Sequence, residues 1–203
     1  MESIGAGKAS PEESAMTTTL AELVQRRPSR ADARRNYDSL IAAARQSFAE
    51  MGTEAPLEEI ARRADVGIAT LYRNFPTRET LVESVYLEEV QAVCNAAAEV
   101  AHLEPWEALL AWLRRFVTYV GTKRVLVEGL NRDSNTFKAC RLGLYEAGAP
   151  LLIRAQDARL VRPDVAIDDV IRLVAGIAGI GSTTEEQRDR ILAIALDGLK
   201  RAA

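Results

Sequence analysis

The stretch Leu57-Glu-Glu-Ile-Ala-Arg-Arg-Ala-Asp-Val-Gly-Ile-Ala-Thr-Leu-Tyr-Arg-Asn-Phe-Pro-Thr-Arg78 limits the possible folds more than any other part of the chain. Leu57, Ile60, Ala61 and Ala64 recur at i, i+3, i+4 and i+7, one face of a short helix. Asp65-Val66-Gly67 then interrupts the pattern. Asp and Gly tolerate turn and left-handed geometry, and Val66 gives the turn an apolar plug. A second helix is predicted from about Ile68 to Asn74, burying Leu71 and Phe75. Its other face offers Ala69, Thr70, Tyr72 and Arg73, a mixture with little use in packing. Pro76 ends that helix, and Thr77 is placed to cap a long one that follows.

Composition narrows the rest. At 203 residues the chain holds one large domain or two small ones, and 48% apolar residues suffice for a core. Ala and Leu dominate and alternating Val/Ile/Thr runs are absent, so an all-α fold is expected. The net charge of −3 does not advertise a nucleic-acid binder, so any basic surface must be local. Cys94 and Cys140 fall inside helical patterns with no partner spacing, which reads as buried free thiols and suits a reducing cytoplasm. No apolar run approaches the ~20 residues that span a bilayer. The N-terminus lacks the apolar centre of a secretion signal. A soluble cytoplasmic protein without membrane contacts is expected.

Residues 1–28 read as a disordered tail, with at most a transient helical turn around Ala21–Gln25. Arg26, Arg27, Arg30, Arg34 and Arg35 cluster at its end with only Asp32 opposing them. They are either a cationic arm that follows phosphates or a solvated tail. A helix over Ala31–Met51 with Tyr37, Leu40, Ile41, Ala44 and Phe48 on its apolar stripe should roof the next two, with Gly52 as its stop. After Thr77 no Pro or Gly appears until Pro105. About 24 helical residues would reach some 36 Å, long enough to join a head to a distant body.

Beyond Pro105 the pattern predicts an amphipathic helix carrying Leu109, Leu113, Phe116 and Val120, then a short segment bounded by Gly121 and Gly129. A helix over Thr136–Ala147 follows, kinked or restarted at Gly148-Ala-Pro150. The last two helices are predicted at Ile167–Ile180 and from a capping box, Thr183-Thr-Glu-Glu186, to about Arg201.

Two short helices, a tight turn and an exposed second helix make a helix-turn-helix, in which the second helix enters the DNA major groove. The run Ile-Ala-Thr-Leu-Tyr-Arg-Asn-Phe-Pro-Thr-Arg-Glu-Thr-Leu, residues 68–81, closely resembles the recognition helix of TetR-type (TetR/AcrR) transcriptional regulators. The likeness is dense from Tyr37 to Leu81 and continues beyond only as a pattern of helices. It implies a DNA-binding domain at 29–80 and a ligand-binding and dimerisation domain at 81–203. It also implies that Thr70 contacts phosphate, Tyr72 backbone or base, and Arg78 phosphate beside a helix N-terminus. Ala69 would offer apolar contact to a base, with Ile68, Arg73 and Thr77 alongside. Two departures stand out. Asp65 takes a position where the family usually has Gly. Glu58 and Glu59 open the first helix of the motif, where they favour the helix dipole but not a phosphate.

The same resemblance makes the last two helices a dimer seam, through Val170, Leu173, Val174, Ile177, Ile191, Ile194, Ala195 and Leu199; a purely intramolecular core is the alternative. Trp106, Trp112, Phe116, Tyr119, Phe137, Cys140 and Tyr145 concentrate the aromatic side chains of this half and either line a ligand pocket or fill the core. Catalytic, metal-binding and cofactor-binding motifs are missing, and His102 is the sole histidine. The expectation is a homodimeric repressor of a near-palindromic operator, released by a small molecule. The alternative is a helical ligand-binding or adaptor protein that keeps the fold without operator recognition.

Overall fold

A computed structural model describes residues 19–25, 27–127, 130–131, 133–180 and 184–201, without the side chains of 122–125 and 127. The described residues form α1 (Leu20–Val24), α2 (Ala31–Met51), α3 (Leu57–Arg63), α4 (Ile68–Asn74), α5 (Arg78–Glu99), α6 (Pro105–Val127), α7 (Asn135–Asp157), α8 (Ile167–Ala178) and α9 (Glu185–Asp197). One isolated β-bridge, Val161 to Lys200, ties the end of the chain to the α7–α8 connection.

Helices α2, α3 and α4 make a head whose core is Leu40, Ala44, Phe48, Ile60, Leu71 and Phe75, all buried. Gly52 takes φ 79° where α2 ends, a conformation that favours glycine, and its N–H closes the last turn on the Phe48 carbonyl. Thr77 caps α5, its hydroxyl accepting from the Thr80 N–H at 3.2 Å. Leu81, Val85 and Val93 face inward on α5. This helix packs against α2 in the head and against α6 and α7 in the body.

The body closes around Trp112, which is fully buried and donates its Nε1–H to the Val93 carbonyl at 3.0 Å. Gly148 on α7 lets the indole approach so closely that a Cβ there would stand 2.5 Å from its ring. Arg154 reaches from α7 to the carbonyls of Ala101 and Leu103, at 2.7 and 2.6 Å, and holds the α5–α6 turn. The Tyr145 hydroxyl bonds to Asp168 and joins α7 to α8.

Several boundaries differ from those read in the sequence. Thr19–Gln25 is a capped turn of helix within the predicted tail: the Thr19 side chain and the Glu22 carboxylate satisfy each other's backbone N–H groups. Its Leu23 is buried, and Leu20 lies against Gly143 of α7. Residues 1–18 lie outside the described residues. Helix α6 continues through Gly121 to Val127. Helix α7 continues through Pro150, because Leu151, Leu152 and Ala155 beyond it are buried against the core. A proline inside a helix costs ~3 kcal/mol. Burial of two leucines offsets that, at ~1.5–3 kcal/mol each. Thr184 caps α9, one residue past the first threonine of the predicted box, and Gly198 ends it.

Candidate nucleic-acid interface

In α4, Leu71 and Phe75 anchor the helix in the head, and the Phe75 ring lies 5.1 Å from that of Tyr37. Anchoring one face fixes the other. Ile68, Ala69, Tyr72 and Arg73 point to solvent, Tyr72 with 46% of its surface exposed. Thr70 is half-buried; its hydroxyl accepts from Arg73 at 3.2 Å and its carbonyl from Asn74 at 2.8 Å. Thr77 is exposed beyond the turn. The helix thus presents an aromatic ring, a cation and small side chains on one exposed face.

The turn that aims α4 passes through Asp65 at φ 55°, in the left-handed region. That is why a glycine suits the position and why aspartate, among the more tolerant residues there, is accepted. Glu59 does not face outward alone. It accepts from both Arg62 and Arg63, at 2.7 to 2.8 Å, and those guanidinium groups pull its carboxyl down to about 2. Arg63 also forms an ion pair with Glu50 at 2.7 Å, so the cluster ties α3 to α2. Glu58 is exposed.

The predicted basic groups divide. Arg78 is turned inward: its Nη1 donates to the carbonyls of Thr53 and Ala55 at 2.8 and 2.6 Å, clamping the α2–α3 loop to the start of α5. Arg27 pairs with Asp38, lies 3.3 Å from Glu88 and covers the Tyr37 ring at 5.6 Å. It joins the α1–α2 connection to α2 and α5 and is no part of a free arm. Arg35 pairs with Asp32 on its own helix. Arg30 and Arg34 are exposed, and Arg26 lies outside the described residues.

In the body, the predicted ligand set is largely core. Trp112, Phe116, Tyr119 and Cys140 are buried. The rings of Trp112, Phe116, Tyr119, Tyr86 and Phe137 follow one another at centroid separations of 5.8 to 6.3 Å. Tyr145 is half-buried and holds Asp168. A cavity of about 670 Å³ lies instead between α6 and α9, and of this set only Trp106 lines it. Its other polar residues, Arg114 and Arg188 among them, escaped sequence reading. The one available signal was the spacing of Arg188 with Leu192 and Leu196. Burial pushes the Cys94 thiol up to about 11, which makes it a poorly reactive thiol, and Cys140 is fully buried.

The predicted seam divides too. Val170, Val174, Ile177 and Leu199 are buried within the chain itself. Leu173 and Ile194 are exposed, Ile194 by 73%, while Ile191 and Ala195 are half-buried. Gly176 and Ile180 extend the exposed stripe.

Comparison with known proteins agrees with this architecture at both ends. Residues 40–85 match the family model of bacterial regulatory proteins of the tetR family. Residues 104–201 match the SbtR-like transcriptional regulator C-terminal domain. The structure is similar to a TetR transcriptional regulator from Streptomyces coelicolor, at 39% identity and a TM-score of 0.70, over 82% of this chain and 99% of that one. It is also similar to a TetR transcription regulatory protein from Mycobacterium vanbaalenii, at 31% identity and a TM-score of 0.69, over 85% and 99%. Among the described residues no helix is long and apolar enough to cross a membrane. With both halves matched and relatives covered almost end to end, the chain belongs to the TetR family of transcriptional regulators, which are not enzymes.

Proposed function

We propose that the protein is a cytoplasmic, homodimeric repressor that reads a near-palindromic operator through α4 and is released by a small molecule. The observation that carries the DNA-reading part is the outward face of α4, where Tyr72 and Arg73 stand exposed beside Ala69 while Leu71 and Phe75 hold the helix from behind. Ala69 suits a thymine methyl, Arg73 a guanine edge or a phosphate, and Tyr72 the backbone. Ile68, Thr70 and Thr77 border the same surface.

Dimerisation is supported by Leu173, Gly176, Ile180 and Ile194, which leave an apolar stripe along α8 and α9 exposed in the single chain. Two copies joined there would present two α4 helices, and successive half-sites lie about 34 Å apart on DNA. A small molecule that favours another spacing of the heads would lower operator affinity. DNA must then weaken that ligand's binding by the same factor.

Retardation of the DNA upstream of the protein's own gene is the direct test. Tyr72→Ala should weaken it at least tenfold with thermal stability unchanged, since the ring is exposed and outside the core. Ile194→Glu should yield monomers by light scattering and lose retardation with them. Equal retardation by wild type and Tyr72→Ala would remove α4 as the reading element. An adaptor without operator recognition would instead show no sequence preference and a shallow salt dependence on any DNA.

A further inference from the structure

Helix α9 has two faces with different neighbours. Arg188, Leu192, Ala193 and Leu196 line the cavity against α6, whereas Ile194 is turned away to solvent. At 3.6 residues per turn, Leu192 and Ile194 point about 160° apart. Association through the Ile194 face would therefore leave the α6 side of the helix open.

The space on that side has a built character. Trp106, Leu110, Leu192 and Leu196 make an apolar floor in a cavity of about 670 Å³. That is within the ~300–1,000 Å³ of sites that enclose drug-sized ligands. Lys200 also lines it, 5.4 Å above the Trp106 ring and paired with Asp197 at 2.7 Å. Arg188 stands about two and a half turns before Asp197 along α9. Its Nε is shielded from solvent and has no hydrogen-bond acceptor among the described residues. Arg114, also on the lining, makes no ion pair among the described residues. Glu185 and Asp189 line the cavity beside Arg188 but are exposed and form no salt bridge with it. A shielded guanidinium nitrogen without a partner is a costly arrangement that an anionic acceptor relieves.

We propose that the α6–α9 groove binds an amphipathic organic anion, with its apolar tail toward Trp106 and its carboxylate on Arg188, assisted by Arg114. Only the consequence of binding, operator release, rests on the ligand-responsive reading above; occupancy of the groove does not. The separation of an apolar floor from a cation that forms no salt bridge among the described residues sets this chemistry apart from the aromatic row around Phe116, whose rings pack on one another.

The test is a fluorescence titration of the full-length dimer with decanoate and with decanol, an uncharged probe of equal chain length. Decanoate should bind saturably and at least tenfold more tightly than decanol. Arg188→Gln, alone and with Arg114→Gln, should weaken decanoate tenfold or more and leave decanol unchanged. Ala193→Trp, which fills the groove without removing a charge, should block both probes. Arg141→Gln, a cation away from the groove, should change neither. Equal affinity for the two probes, or undiminished decanoate binding in the arginine double variant or in Ala193→Trp, would overturn the assignment. Failure of decanoate to saturate wild type below its micelle-forming concentration would do the same. Saturable decanoate binding that obeys these variants but leaves DNA retardation unaltered would uphold the groove and sink the ligand-responsive reading instead.

Discussion

Replacing Arg78 with alanine separates two roles that a cation beside a DNA-reading helix can have. In the structure its Nη1 serves two carbonyls, those of Thr53 and Ala55, and Ala55 is buried. A hydrogen bond from a charged donor contributes about 1.5–3 kcal/mol, and two from one nitrogen do not add fully, so a loss of about 2–3 kcal/mol is expected. For a chain of this size that lowers Tm by about 5–10 °C. A phosphate contact predicts something else. Its removal leaves Tm in place and reduces the slope of log binding constant against log salt by about 0.9 on random duplex DNA. The clamp geometry predicts the fall in Tm with the slope unchanged, read by calorimetry and by fluorescence anisotropy at several salt concentrations. Arg78→Lys keeps the charge without the planar fork and should fall between. An unaltered Tm together with a slope reduced by one contact would refute the clamp and restore Arg78 to the phosphate.

Three further outcomes are expected. Gly148→Ala drives a methyl to 2.5 Å from the buried Trp112 ring and should destabilise by about 1–3 kcal/mol, visible as a lowered Tm and altered Trp emission. Asp65→Gly relieves a non-glycine residue at φ 55° and removes a negative charge from the head, so it should raise stability by roughly 1 kcal/mol and strengthen binding to random DNA. Glu59 has a folded-state value lowered from 4.5 to about 2, so its contribution is present above the ordinary carboxylate range and is lost as pH falls from 4.5 toward 2. Glu59→Gln should flatten that part of an acid-unfolding curve, and an identical curve for the variant would contradict the Arg62–Glu59–Arg63 cluster.

The head was readable in sequence because its information is local. Leu57, Ile60 and Ala61 set one helix face, Leu71 and Phe75 the next, and Asp65-Val66-Gly67 the angle between them, all within about twenty residues. What escaped depends on partners distant along the chain. Arg78 looks like any surface cation until Thr53 and Ala55 are folded against it, 25 and 23 residues away. The capped turn at Leu20–Val24 is too short to be stable alone. Its docking depends on a gap at Gly143, which nothing in the nearby sequence announces. Gly121 and Pro150 read as breaks by local rules and were overruled by tertiary burial of their neighbours. In α8, Val170, Leu173, Val174 and Ile177 are all apolar, so periodicity marked them as buried without saying by what. The chain's own core takes three of the four and leaves Leu173 outside.

These placements also change which element can carry a signal between body and head. From sequence, α5 is the lever, since it alone spans the two. The ties along it, Arg27 to Glu88 and Arg45 to Glu89, are ion pairs with a partly exposed guanidinium, a kind usually worth under ~1 kcal/mol. They set register more than strength. Apolar packing does the rest, and α2 rests on α6 as well as on α5. Helix α6 is also one wall of the α6–α9 groove and supplies Trp112 to the core. A ligand shifts an equilibrium only by its differential contact with the two states. An occupant of the proposed site would touch α6, α9 and Lys200 but no residue of α5. Its most direct hold on the head is therefore through α6 on α2, and α5 follows because Trp112 bonds it to α6 at Val93.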